Sequence, residues 1–243
     1  MTGLHQRELG RLPSPIDDRT LWLPDYLGRA FPEPPDTRLW QLPVSNWGVM
    51  GNDQYGNCVI VTAAHAMLAW RANELRDTQP IADTAVIDLS REMGALRGFN
   101  ILERLKYWKR TGMWADKLWA YAAILPSDHI GVRIAVNTFG VADIGVNMPR
   151  AWQDADVWRT GSGPAYRPGT WGGHSVPIVG YDPDFLYVVT WGQIVRMTWE
   201  ALTTYCDEGY ALLDQNWLAG DSETPSGFDL PRLHADLAML SVD

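Results

Sequence analysis

Two residue types in this chain could combine into one chemistry, a cysteine and a histidine. Cys58 follows the polar, turn-forming segment Asn52-Asp53-Gln54-Tyr55-Gly56-Asn57 and opens the apolar run Val59-Ile60-Val61-Thr62-Ala63-Ala64-His65-Ala66-Met67-Leu68-Ala69-Trp70. If that run is a helix, the thiol sits in its first turn, where unpaired N–H groups and the helix dipole favour an anion. A thiolate nucleophile is best activated in such a place. It needs a base within hydrogen-bond reach and a third group to orient that base.

Of the five histidines, His174 fits the base. It follows Trp171-Gly172-Gly173 and opens the strand-like run Ser175-Val176-Pro177-Ile178-Val179-Gly180-Tyr181. The two glycines permit close backbone approach. His65 comes seven residues after Cys58, about 10 Å further along the helix axis, and reads as a packed, hydrogen-bonded histidine. His5 and His234 fall in terminal tails, and His129 near a helix start reads as a surface or capping residue. Cys206 reads as a core thiol in a short helix, and Asp53, Asp182 and Asp207 as turn and cap residues.

These residues need elements to position them. Residues 1–45 are proline-rich (Pro13, Pro15, Pro24, Pro32, Pro34, Pro35, Pro43). They predict an extended arm with at most a short turn around Trp22–Leu27, pinned by Leu21, Trp22, Leu23, Tyr26, Phe31 and Trp40. This arm is read as a strap over the body rather than as an inhibitory propeptide. A loop over 46–57 leads into a helix from Cys58 to about Arg76, apolar on nearly every side and so central. Further helices are expected over 83–93, over 101–111 with Asn100 as cap and Gly112 as stop, and over 127–139 with Ser127 as cap. Residues 114–124 read as short strand and loop, 142–148 as a strand, and 150–171 as a long loop. Strands follow over 175–181, 186–191 and 193–198, then a helix over 199–206 capped by Thr198 and a last strand over 209–213. Helices first and a mostly antiparallel sheet second make an α+β fold with two lobes. The boundaries are 1–45 for the arm, about 46–126 for the helical lobe, about 140–218 for the sheet lobe, and 219–243 for a polar tail with a short helix over 230–240.

The bulk numbers narrow the function classes. The chain has 243 residues, 46% of them apolar, and a net charge of −9. That charge argues against nucleic acid and anionic membranes and mildly favours neutral or basic substrates. No window has the length of a membrane span. The N-terminus carries no signal-peptide core, so a cytoplasmic or virion location is expected. Two cysteines make no disulfide framework. No cysteine or histidine pair has zinc spacing and the glycines form no phosphate loop, so no metal or cofactor is expected. The thirteen tryptophans read as core and interface packing, or as an aromatic groove for a peptide or glycan.

Gly-x-Cys opening a buried helix, then Gly-His-Ser-Val-x-x-Val-Gly-Tyr, then a strand ending in Trp-Gly, resembles the papain-like cysteine peptidases over about residues 44–213. More closely, the chain resembles bacterial and phage papain-like proteins with Gly-Asn-Asp-x-Tyr-Gly-x-Cys and Gly-Gly-His motifs. Asn57 and Val59 stand where the peptidases carry a cysteine and an aromatic. The resemblance implies a two-lobed fold and a thiolate on Cys58 paired with protonated His174, 116 residues on. It implies an oxyanion hole of the Cys58 N–H and an upstream amide, either Asn52 or Gln54. It implies an orienting residue 16 positions after His174, here Thr190 where the family has asparagine. Trp171, Gly173 and Trp191 would line a groove, Trp191 shielding the pair. The implied activity is hydrolysis of a peptide or amide bond in a peptide, protein or cell-wall substrate. Two other readings are a cell-wall amidase and a non-catalytic scaffold such as a virion component with assembly partners.

Overall fold

The structure, a computed structural model, describes residues 7–29, 31–214, 217 and 229–240. His5 and the polar segment 219–227 lie outside them. The apolar run after Cys58 forms helix α1, Cys58–Glu74, with Asn57 at its N-cap. Every residue from Cys58 to Trp70 is buried, as a helix apolar on all sides requires. Helices α2 (Asp83–Glu92) and α3 (Ile101–Thr111) follow; Asn100 caps α3 by accepting from the Glu103 N–H. Helix α4 spans His129–Phe139. Its cap is Asp128 rather than Ser127: the carboxylate accepts from the Gly131 N–H at 2.9 Å and adds negative charge at the positive end of the helix. Helices α5 (Trp199–Tyr205, capped by Thr198) and α6 (Leu230–Leu240) follow among the described residues.

The strands are β1 (Arg11–Leu12), β2 (Arg38–Leu39), β3 (Phe99–Asn100), β4 (Leu118–Ala123) and β5 (Ala142–Met148). After them come β6 (Val157–Trp158), β7 (Gly172–Tyr181), β8 (Phe185–Thr190), β9 (Gln193–Thr198) and β10 (Cys206–Asp214). The main sheet runs β4-β10-β5-β7-β8-β9-β6 and is antiparallel except for β6 on β9; β2 also pairs with β7. The segment 114–124 holds a short strand, β4, after a loop, as expected. Two expectations shift. The 150–171 loop contains β6. Strand β7 begins at Gly172, so His174 lies within it, opposite Val146, rather than opening it. The two glycines extend the ladder, Gly173 opposite Asn147 and Gly172 opposite Met148.

The sheet separates two cores. One gathers Val176, Ile178 and Val188 with Val132, Val136 and Phe139 of α4; the other gathers Val179 and Val189 with α1 and α3. Alternate residues of β7 and β8 thus serve opposite faces, and both faces are covered. The N-terminal arm crosses this body. Leu23 and Tyr26, in the short 3-10 turn Leu23–Tyr26, are buried in the first core, with Leu21, Phe31 and Trp40 packed against it.

Candidate active site

Helix α1 meets strands β5 and β7 through a buried polar network. Thr62 Oγ1 donates to the Cys58 carbonyl at 2.9 Å. Ser175 Oγ lies 3.0 Å from Thr62 Oγ1 and 3.2 Å from Asp143 Oδ1. Asp143 also pairs with Arg104 of α3, and both side chains are fully buried. Burial pulls the Arg104 guanidinium down to about 9, which leaves it charged at neutral pH. These bonds fix the first turn of α1 against the strand that carries His174.

Cys58 is 1% exposed, and the backbone N–H groups of Ser175, Gly10 and Val59 face its sulfur. His174, also 1% exposed, has its Nε2 2.7 Å from Thr190 Oγ1. Its Nδ1 is buried without a hydrogen-bond partner. If Nε2–H donates to the hydroxyl, Nδ1 is left as the basic nitrogen. Thr190 is the last residue of β8 before a two-residue hairpin, Trp191-Gly192, with φ of 47° and 74°. Positive φ at both positions is the tight-hairpin geometry. It lays the Trp191 ring on the imidazole, with centroids 4.6 Å apart and planes 13° apart. Trp171 stacks on Trp191 in turn at 5.6 Å.

Burial pushes the Cys58 thiol up to about 11, against the pull of the three N–H groups and Arg11. Burial, aided by the positive charge of Arg11 and by His65, pulls His174 down to about 3. In the covered cleft burial thus opposes the thiolate and the imidazolium that the resemblance implies and favours the neutral form of each group.

The N-terminal arm supplies part of that burial, for residues 7–12 run through the cleft. The Arg7 guanidinium sits 5.0 Å over the Trp191 ring. The Glu8 carbonyl accepts from Asn52 Nδ2 and Trp191 Nε1, each at 3.4 Å. The Gly10 carbonyl accepts from the Phe99 N–H at 2.8 Å, and β1 pairs parallel with β3. Backbones pass so closely here that a Cβ on Gly10 would lie 1.8 Å from the Gly56 oxygen. A Cβ on Gly173 would lie 2.2 Å from the Arg11 oxygen. Arg11, 4% exposed, reaches Glu208 Oε1 at 2.5 Å, Asp207 Oδ1 at 2.8 Å and Asn147 Oδ1 at 2.9 Å. The arm thus crosses the cleft and sets the Gly10 N–H against the Cys58 sulfur.

Of the expected residues, His174 and Thr190 are bonded and Trp191 and Trp171 stack outward from the imidazole, while the Cys58 sulfur faces the N–H of Ser175, the residue after His174. Asn52 is buried, its amide also donating to the Tyr55 carbonyl at 3.0 Å, whereas Gln54 is exposed; of the two, the buried amide is at the cleft. His65 is packed, its Nε2 3.1 Å from the Gly48 oxygen, and burial lowers it to about 4. Cys206 is half-buried at the start of β10 rather than inside a helix. Asp207, read as a turn residue, holds the arm instead. Gly10, Arg11, Asn147 and Glu208 carried no local signal, since their contacts join segments far apart in sequence.

Solved structures share this architecture. Xylellain, a cysteine protease from Xylella fastidiosa, superposes with a TM-score of 0.67 at 14% identity, over 86% of this chain and 97% of that one. The fold is papain-like. Procathepsin L 3 of Tenebrio molitor gives 0.60 at 13% identity, over 86% of this chain and 76% of its own. The Carica candamarcensis cysteine protease CMS1MS2, in complex with E-64, gives 0.52 at 18% identity, over 74% and 99%. No protein-family model matches the chain, and no curated protein matches it by sequence. At these identities the likeness is one of fold.

Proposed function

We propose that the protein is a papain-like thiol hydrolase of peptide or amide bonds, held latent by its own N-terminal arm. The observation that carries this reading is the His174 ring, with Nε2 engaged by Thr190 at 2.7 Å and a basic Nδ1 left without a partner in the strand that flanks the Cys58 sulfur. With the arm displaced, water and substrate enter, the desolvation that keeps both groups neutral falls, and the proton passes from sulfur to Nδ1.

The thiolate then attacks the carbonyl carbon, forming a C–S bond and moving the carbonyl π pair onto oxygen. The Cys58 N–H, in the first turn of α1, and the Asn52 amide are the donors for that oxyanion. The C–N bond breaks as His174 gives its proton to the leaving amine. Water attacks the thioester, His174 takes the proton, and the C–S bond breaks. Thr190 holds the imidazole in the tautomer that this sequence needs, as a positioning residue.

The test is turnover of a peptide anilide by the full chain carrying Arg11→Glu, which opposes two acidic residues where Arg11 sits. Hydrolysis that is abolished by Cys58→Ala is expected. An opened cleft with no turnover and no acyl adduct on Cys58 would overturn the reading.

A further inference from the structure

We propose that the pocket holding Arg11 is a subsite for a basic side chain of the bound peptide, so that the cleft takes glycine–arginine or glycine–lysine sequences and the arm competes by presenting Gly10-Arg11. The pocket is built from two strands. Asn147 on β5 and Asp207 and Glu208 on β10 converge on one guanidinium, and Asn147 Nδ2 also donates to Asp207 Oδ2 at 3.0 Å. That amide bridge fixes the carboxylate whether or not a guest is present.

Two carboxylates facing one guanidinium leave a net charge of −1 when the pocket is filled and −2 when it is empty, so a neutral or acidic guest leaves like charges opposed. Arginine fits better than a point charge, because its two terminal nitrogens serve three acceptor side chains at once. The pocket also has a fixed position along the cleft. The Phe99 N–H binds the Gly10 carbonyl, and the Gly10 N–H faces the Cys58 sulfur. A peptide that uses the same Phe99 bond therefore places one residue at the sulfur and its neighbour in the acidic pocket. The residue at the sulfur must be small, because a Cβ at Gly10 would strike the Gly56 carbonyl.

The catalytic use of this pocket rests on the hydrolase reading; the binding does not. The test therefore removes the chemistry. In the full chain, Arg11→Glu empties the pocket and Cys58→Ala disables the nucleophile. Calorimetry on this double variant compares acetyl-Leu-Gly-Arg-Leu-amide with the same peptide carrying citrulline, which keeps the shape and loses the charge. The arginine peptide should bind about tenfold tighter or more. Adding Asp207→Asn and Glu208→Gln should erase the preference. Equal affinities overturn the proposal. So does binding of neither peptide, provided that the Arg11→Glu chain with Cys58 intact is readily alkylated and its cleft is therefore open. If that chain stays closed, Gly10→Val, which clashes with Gly56, opens it with the pocket residues untouched, and the same comparison decides. Binding without turnover would sink the hydrolase reading and leave the subsite standing.

Discussion

Arg11→Ala should release the arm, and the size of the effect can be worked from the contacts. The side chain makes four polar contacts of 2.5–3.0 Å to Asn147, Asp207 and Glu208. Hydrogen bonds to charged groups contribute about 1.5–3 kcal/mol each when the partners are dry. Here the Asp207 side chain is 45% exposed and regains water once freed, so most of its share is lost to solvation. A net cost of about 2–3 kcal/mol remains for arm closure, which is roughly a 30- to 150-fold rise in the open fraction. The assay is iodoacetamide labelling of Cys58, read by peptide mass, with Cys206 as internal reference. If closure limits access, Cys58 labelling should accelerate by about that factor. Electrostatics alone predicts the opposite sign. Arg11 lowers the Cys58 pKa, so removing it from a chain that stayed closed would slow labelling. An unchanged or slower rate in a chain with native circular dichroism would refute the role given to Arg11.

Other outcomes follow from the same geometry. His174 is pulled from 6.5 to about 3 in the covered form, so closure is fully favourable above pH 6.5 and weakens as pH falls toward 3, by about 1.4 kcal/mol per unit. Cys58 is raised from 9.0 to about 11, so closure also weakens as pH rises from 9 to 11. Limited proteolysis of the arm should therefore be slowest between about pH 6.5 and 9; a flat profile would count against a neutral pair under the arm. Thr190→Val keeps the shape but removes the partner of Nε2. It should lower kcat about 10- to 100-fold in an arm-opened chain with little change in KM, and a matching loss in KM would contradict a positioning role. Asp143→Ala leaves the Arg104 charge buried and unpaired and should cost about 3–5 kcal/mol in urea unfolding, whereas a cost below about 1 kcal/mol would show that Arg104 finds water.

What could be read from the sequence was local or periodic. Helix α1 was legible because an apolar run with no polar face has to be buried all round. The pairing of Thr190 with His174 came from the resemblance, and its physical reason is that β7 and β8 are consecutive strands, so 16 residues of separation bring the two side chains together. The occupied cleft was not legible. Arg11 and Glu208 are 197 residues apart, and no pattern in a proline-rich arm marks one arginine as an anchor. The weight of burial was not legible for the same reason: the position of Cys58 at a helix start speaks for a thiolate, while the burial that opposes it comes from the sheet and from the distant arm. The choice between Asn52 and Gln54 was likewise beyond a count of positions. The loop that carries them buries one amide and turns the other outward, and only the arm's Glu8 carbonyl marks which donor faces the cleft.

The central claim is that Cys58 and His174 form a working nucleophile and base once the arm leaves. The most direct measurement is the pH profile of Cys58 alkylation in the full chain carrying Arg11→Glu, with and without His174→Ala. Cys58 should show a rapid phase near pH 6, far faster than Cys206, that disappears when His174 is replaced. Equal, slow labelling of both cysteines, indifferent to His174, would contradict it.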